Sequence, residues 1–251
     1  VVAVSLKKQN YWQRGTEPGE GGRGGARGGP GGGPAGRRHI GKVPYRVLDA
    51  PALADDFYLN LLDWSSSNVL VVGLGSDVYT WNAATAKVTK LANVGAEDAV
   101  TSVAWTQRGA HVAIGTDKGT VQLWDAAAGK LVRTMGGHTA RVGSLSWAAH
   151  TLATGGRDKT ICIRDVRSPH DAEARLTAHK QEVCGLRWSP DWSLLASGGN
   201  DNRLLLWSAA YMRGSSGPSA PPPSAGGGGG GGAAPPPPHT TVPIMKFTQH
   251  T

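Results

Sequence analysis

Short runs of alternating apolar and polar residues fill positions 59–213, and turn-forming residues separate them. The last set reads EVCGLRW, LLASGG and RLLLW, with the first run ending at Trp188 and the third at Trp207. Alternation with a period of two is typical of half-buried β-strands. Pro, Asp, Asn and Gly stand between the runs, and they favour tight turns because Pro fixes φ while Gly and Asn tolerate positive φ. The pattern therefore predicts antiparallel strands joined by short turns.

Tryptophan marks a repeat of about 41 residues along the same stretch, a period typical of propeller blades. One series comprises Trp64, Trp105, Trp147 and Trp188. A second series comprises Trp81, Trp124, Arg164 and Trp207, with one tryptophan replaced. Short strands repeated at this period predict an all-β fold, a WD-repeat β-propeller. We expect about four blades of the seven in an ordinary propeller of this kind.

Four residues of the last repeat occupy the positions of the hydrogen-bonded tetrad inside WD blades. They are His179, Ser197, Asp201 and Trp207. Buried Trp and His carry N–H groups that need acceptors, so a structural role is expected. The alternative is a Ser/His/Asp catalytic triad, but the same types recur one repeat earlier, in His138, Thr154 and Asp158. Recurrence at the blade period favours structure, and we predict no catalytic residue. Arg164 replaces the tryptophan of that earlier repeat, which predicts a broken tetrad there.

Glycine and proline set the predicted domain organisation. Residues 1–41 and 214–241 are rich in Gly and Pro or Ser and lack apolar periodicity, so they cannot offset their own ordering entropy. We predict that both are disordered. The other segments are a lead-in at 42–58, blades one to four at 59–213, and 242–251, which supplies the outer strand of blade four at about 242–248 and the start of a missing blade.

The positive charge is concentrated at the start of the chain. The formal net charge is +8, and the first 46 residues hold nine Lys or Arg against two Glu. The rest is near neutral, which argues against electrostatic binding of nucleic acid by the blades. Two Arg-Gly-Gly units, at 23–25 and 27–29, leave RNA binding through this basic tail as an alternative.

Several other functional classes lack their sequence signals. The two cysteines fit an intracellular reducing compartment, and no CxxC spacing supports a zinc site at Cys162, His179 and Cys184. No apolar stretch approaches the roughly 18 residues of a membrane span, so no membrane partner is predicted. A phosphate-binding loop and a paired-carboxylate motif are also missing. We therefore predict a protein that is not an enzyme and has no cofactor or metal.

Three segments are more particular than a general WD repeat. They are KVPYRVLDAPALADDFYLNLLDWSSSNVLVVGL at 42–74, GHTARVGSLSW at 137–147 and QEVCGLRWSPDWSLLASGGNDNRLLLW at 181–207. These segments resemble the fizzy and fizzy-related proteins, which are substrate-recruiting coactivators of the anaphase-promoting complex, a ubiquitin ligase of the cell cycle. The resemblance implies a non-catalytic activator in the nucleus and cytoplasm. Its implied partners are subunits of that complex and degron-bearing cell-cycle proteins.

The same resemblance implies four residues that bind degrons, the short motifs that mark substrates. Asp49 matches the carboxylate that pairs with the arginine of the destruction box (RxxL). Asp56 matches the acid facing the lysine of the KEN box, and Asn200 and Asn202 match amides that bind its other polar side chains. A carboxylate pairs bidentately with guanidinium, and an amide offers both donor and acceptor. The alternatives are solvated acids in the lead-in segment and ordinary turn residues of a WD blade.

The chain also departs from the family pattern. A DRYIP-like C box is not found in 1–41, and the chain does not end in Ile-Arg. His250 matches the histidine that opens each later repeat, and it predicts a tryptophan near position 259. We therefore expect an incomplete propeller that lacks about three blades. A general WD-repeat interaction scaffold remains the alternative function.

Overall fold

The computed structural model describes residues 2–4, 44, 46–212 and 242–247. The chain divides into two units, Val1–Pro51 and Ala52–Thr251. In the first unit, strand β1 (Val2–Val4) pairs antiparallel with β2 (Arg46–Leu48).

Strand β1 lies in a segment that the sequence analysis predicts to be disordered. It lies within 1–41, so the prediction is wrong for residues 2–4. The Val-Ala-Val sequence there has β propensity, and β2 supplies a partner for its backbone groups. The rest of 1–41, and the whole of 214–241, lie outside the described residues.

The second unit contains, within the described ranges, four antiparallel sheets of four strands each. Blade one comprises β3 (Leu62–Trp64), β4 (Val69–Leu74), β5 (Asp77–Asn82) and β6 (Val88–Asn93). Blade two comprises β7 (Val100–Trp105), β8 (His111–Thr116), β9 (Val121–Asp125) and β10 (Lys130–Met135). Blade three comprises β11 (Val142–Ala148), β12 (Thr151–Gly156), β13 (Ile161–Asp165) and β14 (Ala174–Leu176). Blade four comprises β15 (Val183–Trp188), β16 (Leu194–Gly199), β17 (Arg203–Ser208) and β18 (Met245–Phe247).

Strands lie in chain order within each of these blades, which confirms the predicted all-β WD-repeat propeller, with four blades in the described part of the chain. A four-residue helix, α1 (Ala209–Met212), follows β17. β18 then pairs antiparallel with β17, with Leu204 opposite Phe247. This strand lies inside the stretch 242–248 that was predicted as the outer strand of blade four.

The apolar core lies between neighbouring blades, in three clusters that each join two consecutive sheets. Buried members are Val71 and Ile114 between blades one and two, Met135 and Leu152 between two and three, and Ile161 and Leu205 between three and four. Because each cluster draws on two blades, a single blade would leave apolar surface exposed to water.

A glycine in the second strand of a blade receives a valine from the first strand of the next. The pairs are Gly73 with Val100, Gly115 with Val142, and Gly155 with Val183. A Cβ on Gly155 would lie 2.7 Å from Val183 Cγ1, inside van der Waals contact. Gly198 occupies the same position in β16, and nothing described lies within 4 Å of a Cβ placed there.

Two indole groups link the first strands of adjacent blades. Trp147 Nε1 donates to the carbonyl of Ala104 at 3.2 Å, and Trp188 Nε1 donates to the carbonyl of Ser146 at 3.2 Å. The Ser146 hydroxyl also accepts the backbone N–H of Trp188 at 3.3 Å. The periodic tryptophans therefore join blades by hydrogen bonds as well as by apolar burial.

The residues predicted as a tetrad in blade four lie in one hydrogen-bonded chain. Ser197 Oγ lies 2.8 Å from His179 Nε2 and accepts the indole N–H of Trp207 at 2.8 Å. His179 Nδ1 lies 3.1 Å from Asp201 Oδ1. The other oxygen of Asp201 accepts the backbone N–H of Lys180 at 2.7 Å. The tetrad thus ties the turn before β17 to the loop before β15.

Blade three corrects the prediction of a broken tetrad. Arg164 is fully buried, and its Nε–H donates to Thr154 Oγ1 at 3.1 Å. In blade four, the indole N–H of Trp207 makes the equivalent hydrogen bond to Ser197 Oγ. His138 Nε2 lies 2.8 Å from the Thr154 hydroxyl, and His138 Nδ1 lies 2.9 Å from Asp158. The prediction is wrong because the position needs a buried N–H donor, and a guanidinium supplies one as well as an indole.

The close contact at Gly155 gives a stability prediction. We expect Gly155→Ala to lower the free energy of unfolding by about 1–3 kcal/mol, because the added Cβ would overlap Val183. Urea denaturation followed by tryptophan fluorescence measures the change.

Gly198→Ala is the matched control, since it places the same methyl group in open space. We expect a change within about 0.5 kcal/mol for this variant. Equal losses in the two variants would contradict the role assigned to the close approach between blades.

The histidine of blade three gives a pH prediction. Burial lowers the pKa of His138, but hydrogen bonding to Asp158 and Cys162 outweighs burial and raises the pKa to about 9. The folded-state pKa therefore exceeds the unfolded value of 6.5. The stability that the charged pair contributes is fully present below pH 6.5 and is lost as pH rises through 9.

Asp158→Asn tests this assignment. We expect wild-type stability to fall more steeply than that of the variant between pH 6.5 and 9, since the variant lacks the carboxylate that raises the pKa of His138. Urea denaturation of both proteins across this range measures the difference. Parallel pH profiles would show that Asp158 does not hold His138 protonated.

Candidate functional site

A short segment, residues 56–60, leads into blade one and is here called the strap. Its last residue, Asn60, receives a backbone hydrogen bond from Val103 at 2.9 Å and donates one to Thr101 at 3.0 Å. Its side-chain amide donates to the carbonyl of Gly143 at 2.6 Å. Because these partners belong to β7 and β11, the strap is held across the first strands of blades two and three.

Gly143 allows the strap to lie close to blade three. A Cβ at this position would lie 2.7 Å from the carbonyl oxygen of Tyr58. Contacts that short are sterically excluded for a carbon and an oxygen, so a larger residue would displace the strap. The glycine of the segment ARVGSLSW therefore positions Tyr58 and its neighbour Asp56.

Arg141 connects the strap to blade four through all three nitrogens of its guanidinium group. Its Nε and Nη2 donate to the two carboxylate oxygens of Glu182 at 2.8 and 3.0 Å. Its Nη1 donates to Asp56 Oδ2 at 2.9 Å. The guanidinium carbon also lies 5.2 Å from the centre of the Tyr58 ring, within range of a cation–π contact.

The charges of this network stabilise one another. The side chains of Arg141 and Glu182 are 15% and 8% exposed, whereas that of Asp56 is 36% exposed. Hydrogen bonding to Glu182 raises the pKa of Arg141, with Asp56 adding to the effect. The backbone N–H of Tyr58 and the charge of Arg141 hold the pKa of Asp56 below its usual value. Arg141 and Asp56 are therefore ionised at neutral pH.

A surface concavity of about 360 Å³ lies beside this network. It is lined by Tyr58, Arg141, Arg157, Lys159, Lys180, Gln181, Glu182 and Asn200. The turns between β12 and β13 and between β16 and β17 contribute to its wall, and these are the turns that carry the tetrad aspartates. The tetrads thus fix part of the rim of the concavity.

The four predicted degron residues have different local surroundings. Asn200 lines the concavity and donates from Nδ2 to Gln181 Oε1 at 2.7 Å. Asn202 lies in the same turn with φ of 57° and is not among the lining residues. Asp56 belongs to the strap and reaches the concavity through Arg141. Asp49 is an exposed residue just after β2, in the first unit.

Other kinds of site find no support within the described ranges. No group of three His, Cys, Asp or Glu side chains there is placed to hold a metal ion. The part of the chain that the structure describes also has no helix with the length and apolar character needed to cross a membrane. His179, considered above as a zinc ligand, bonds instead to Ser197 and Asp201.

Comparison with known proteins identifies the family. The CDC20/Fizzy WD40 domain matches residues 48–220, which include all four first strands and the strap. The chain belongs to the CDC20/Fizzy family. Two similar family members are the "B-type cell cycle switch protein ccs52A" of Medicago truncatula, 50% identical over 214 residues, and the "Anaphase-promoting complex subunit cdh1" of Dictyostelium discoideum, 50% identical over 173 residues.

These matches cover most of this chain but less of the relatives. The Medicago alignment covers 85% of this chain and 39% of the relative, and the Dictyostelium alignment covers 68% and 23%. A crystal structure titled "Mitotic Checkpoint Complex" contains a similar chain, with a TM-score of 0.71 and 38% identity. That match covers 85% of this chain and 58% of the other. This CDC20/Fizzy chain thus spans about two fifths of the length of its first curated relatives.

Sequence reasoning assigned no role to Arg141, Glu182 or Tyr58. A usable signal was present, because Arg141 and Glu182 are 41 positions apart, close to the repeat period. Each stands one residue before the valine that packs on a glycine, Val142 and Val183. Opposite charges at equivalent positions of consecutive repeats predict an ion pair between blades, since adjacent blades bring equivalent positions together.

The largely buried carboxylate of Glu182 gives a stability prediction for this CDC20/Fizzy chain. Arg141→Gln should lower the free energy of unfolding by about 1–3 kcal/mol, because Glu182 would lose its charged partner while staying largely buried. The double variant Arg141→Gln/Glu182→Gln should recover part of the loss, since no isolated charge remains. Urea denaturation of the three proteins measures both effects.

Arg167→Gln is the control, since it breaks an arginine–carboxylate pair whose guanidinium is exposed to solvent. We expect no measurable loss of stability from it. A double variant less stable than Arg141→Gln alone would contradict the account of Glu182 as a carboxylate that needs its partner.

Proposed function

We propose that this protein is a substrate-recognition coactivator of the anaphase-promoting complex, which binds destruction-box and KEN-box degrons and promotes ubiquitin-dependent degradation of cell-cycle proteins. The observation that carries the proposal is the 50% identity over 173 residues to a protein named as a subunit of that complex. Its partners would be subunits of the complex and degron-bearing cell-cycle proteins. It would act as a non-catalytic adaptor in the nucleus and cytoplasm.

The chemistry of Asp56 supports a role in binding the KEN lysine. Its carboxylate is ionised and more than a third exposed, so an ammonium group can approach it. Arg141 already pairs with Asp56, but Glu182 holds the same guanidinium through two hydrogen bonds. Arg141 therefore stays neutralised when an incoming lysine takes over part of the Asp56 carboxylate.

The two asparagines have different surroundings under this proposal. Asn200 is exposed. Its side-chain carbonyl oxygen and the second N–H of its side-chain amide are available for a peptide side chain beside the strap. Asn202 adopts a left-handed backbone in the turn, with its N–H donating to the carbonyl of Gly199 at 3.2 Å. Asn200 is therefore the better placed of the two to bind a degron.

Asp49 supports the proposal through its chemistry. It is exposed and carries a carboxylate that a destruction-box arginine can bind with two parallel hydrogen bonds. The resemblance assigns Asp49 to the destruction box and Asp56 to the KEN box. Substitutions at the two positions should therefore affect different degrons.

Peptide binding tests the proposal. We expect the full chain to bind labelled RxxL and KEN peptides in fluorescence polarisation, and to bind scrambled peptides at least tenfold more weakly. Asp49→Asn should weaken RxxL binding by tenfold or more and leave KEN binding unchanged. Asp56→Asn, which retains an acceptor for the Tyr58 N–H, should have the opposite effect, because loss of one charged partner removes a charge-assisted hydrogen bond.

Glu173→Ala is the matched control, since Glu173 is an exposed acid just before β14, away from the strap and the concavity. Its affinities should equal those of the wild type. Equal binding of scrambled and native peptides would instead favour a general interaction scaffold. Salt-sensitive binding of single-stranded RNA, lost on deletion of residues 1–46, would favour the RNA-binding alternative.

A further inference from the structure

The arginine that completes the tetrad of blade three keeps one unused donor. Arg164 donates from Nε to Thr154 Oγ1, and its Nη1 donates to the carbonyl of Gly136 at 2.6 Å and to the carbonyl of Asp171. Its Nη2 is buried and has no hydrogen-bond partner within the part of the chain that the structure describes. A buried donor without an acceptor is costly, and more so when it belongs to a charged group. An acceptor from outside the described residues would remove this cost.

A second guanidinium group lies beside the unused donor. A Cβ on Gly137, in the loop between β10 and β11, would lie 2.8 Å from Arg175 Nη2 and 3.7 Å from Arg164 Nη2. Both nitrogens therefore border the space that this glycine leaves open, here called the arginine gap. Arg175 is exposed, and its side chain has no hydrogen bond or ion pair with any described residue. Two guanidinium groups without an acceptor thus meet at one place.

Positive charge exceeds negative charge around the arginine gap. Arg133 of β10 donates to the backbone carbonyls of residues 168–170, and its Nη2 lies 3.8 Å from Asp171 Oδ1. The side chain of Asp171 is 57% exposed. Burial lowers the pKa of Arg164, and the nearby charges of Arg175 and Arg133 add to this effect. Three guanidinium groups therefore share one exposed carboxylate, which leaves about two positive charges to be balanced.

We propose that the arginine gap binds a phosphate group between Arg164 and Arg175. A phosphate carries up to two negative charges, and its tetrahedral oxygens can accept from two guanidinium groups that are not parallel. A single carboxylate would balance only one charge. Because Arg175 is exposed, its side chain can shift to admit the anion. None of these arginines lines the concavity beside the strap, so the site is separate from the one proposed for degrons.

Thermal denaturation of the full chain at neutral pH tests the proposal with inorganic phosphate as the probe. We expect about 10 mM phosphate to raise Tm by about 2–4 °C over sodium chloride of the same ionic strength, because the ligand binds the folded state. Arg175→Gln should remove this shift, and the variant should still fold because its side chain makes no recorded contact. Arg167→Gln is the matched control, since it removes an exposed guanidinium of the same blade that is already paired with Asp165. It should keep the full shift.

A second arm identifies the source of the phosphate group. N-acetyl-phosphoserine amide should raise Tm as inorganic phosphate does if the site accepts a phosphorylated side chain, and N-acetyl-serine amide should have no effect. Stabilisation by inorganic phosphate alone would identify the free anion as the ligand. Equal Tm values in phosphate and chloride, or a phosphate shift of equal size in Arg175→Gln, would overturn the proposed site.

Discussion

Each of the first three blades buries its apolar surface against the next blade, and the contact is close only because glycine stands where two sheets meet. Gly73, Gly115 and Gly155 each receive a valine from the following blade, at distances that exclude even a methyl group. Larger residues at these positions would separate the sheets and open the clusters between them. The strap depends on the same spacing, since Asn60 bonds to the first strands of two blades at once.

Repetition explains how the candidate site arises. Arg141 and Glu182 occupy equivalent positions of consecutive repeats, and close packing of the blades brings them within hydrogen-bond distance. The tetrads act in the same region, because Asp201 ties the turn that carries Asn200 to the loop that carries Lys180. The site is therefore built from ordinary repeat positions with unusual residues, and one non-repeat segment, the strap, completes it.

Blade three shows what the tetrad position requires physically. Arg164 replaces tryptophan and still donates an N–H to the central hydroxyl. Its Nη1 binds the carbonyls of Gly136 and Asp171, while its Nη2 finds no partner among the described residues. Burial lowers the pKa of this guanidinium, which reflects the cost of placing a charge in the blade. The position therefore has a buried N–H donor in both blades, although the residue type and its size differ.

The sequence by itself determined the repeat, the all-β class and the strands of blade four, because alternation and tryptophan spacing are local consequences of half-buried strands. It also indicated the family, through segments such as DDFYLN and HTARVGSLSW that no repeat requires. The degron roles of Asp49, Asp56, Asn200 and Asn202 stay predictions. Only the tertiary structure showed that Arg164 completes a tetrad and that Arg141 also reaches Asp56, 85 positions away in the strap. These contacts depend on which side chains the folded chain brings together. A local sequence pattern does not show which residues far apart in the chain will meet.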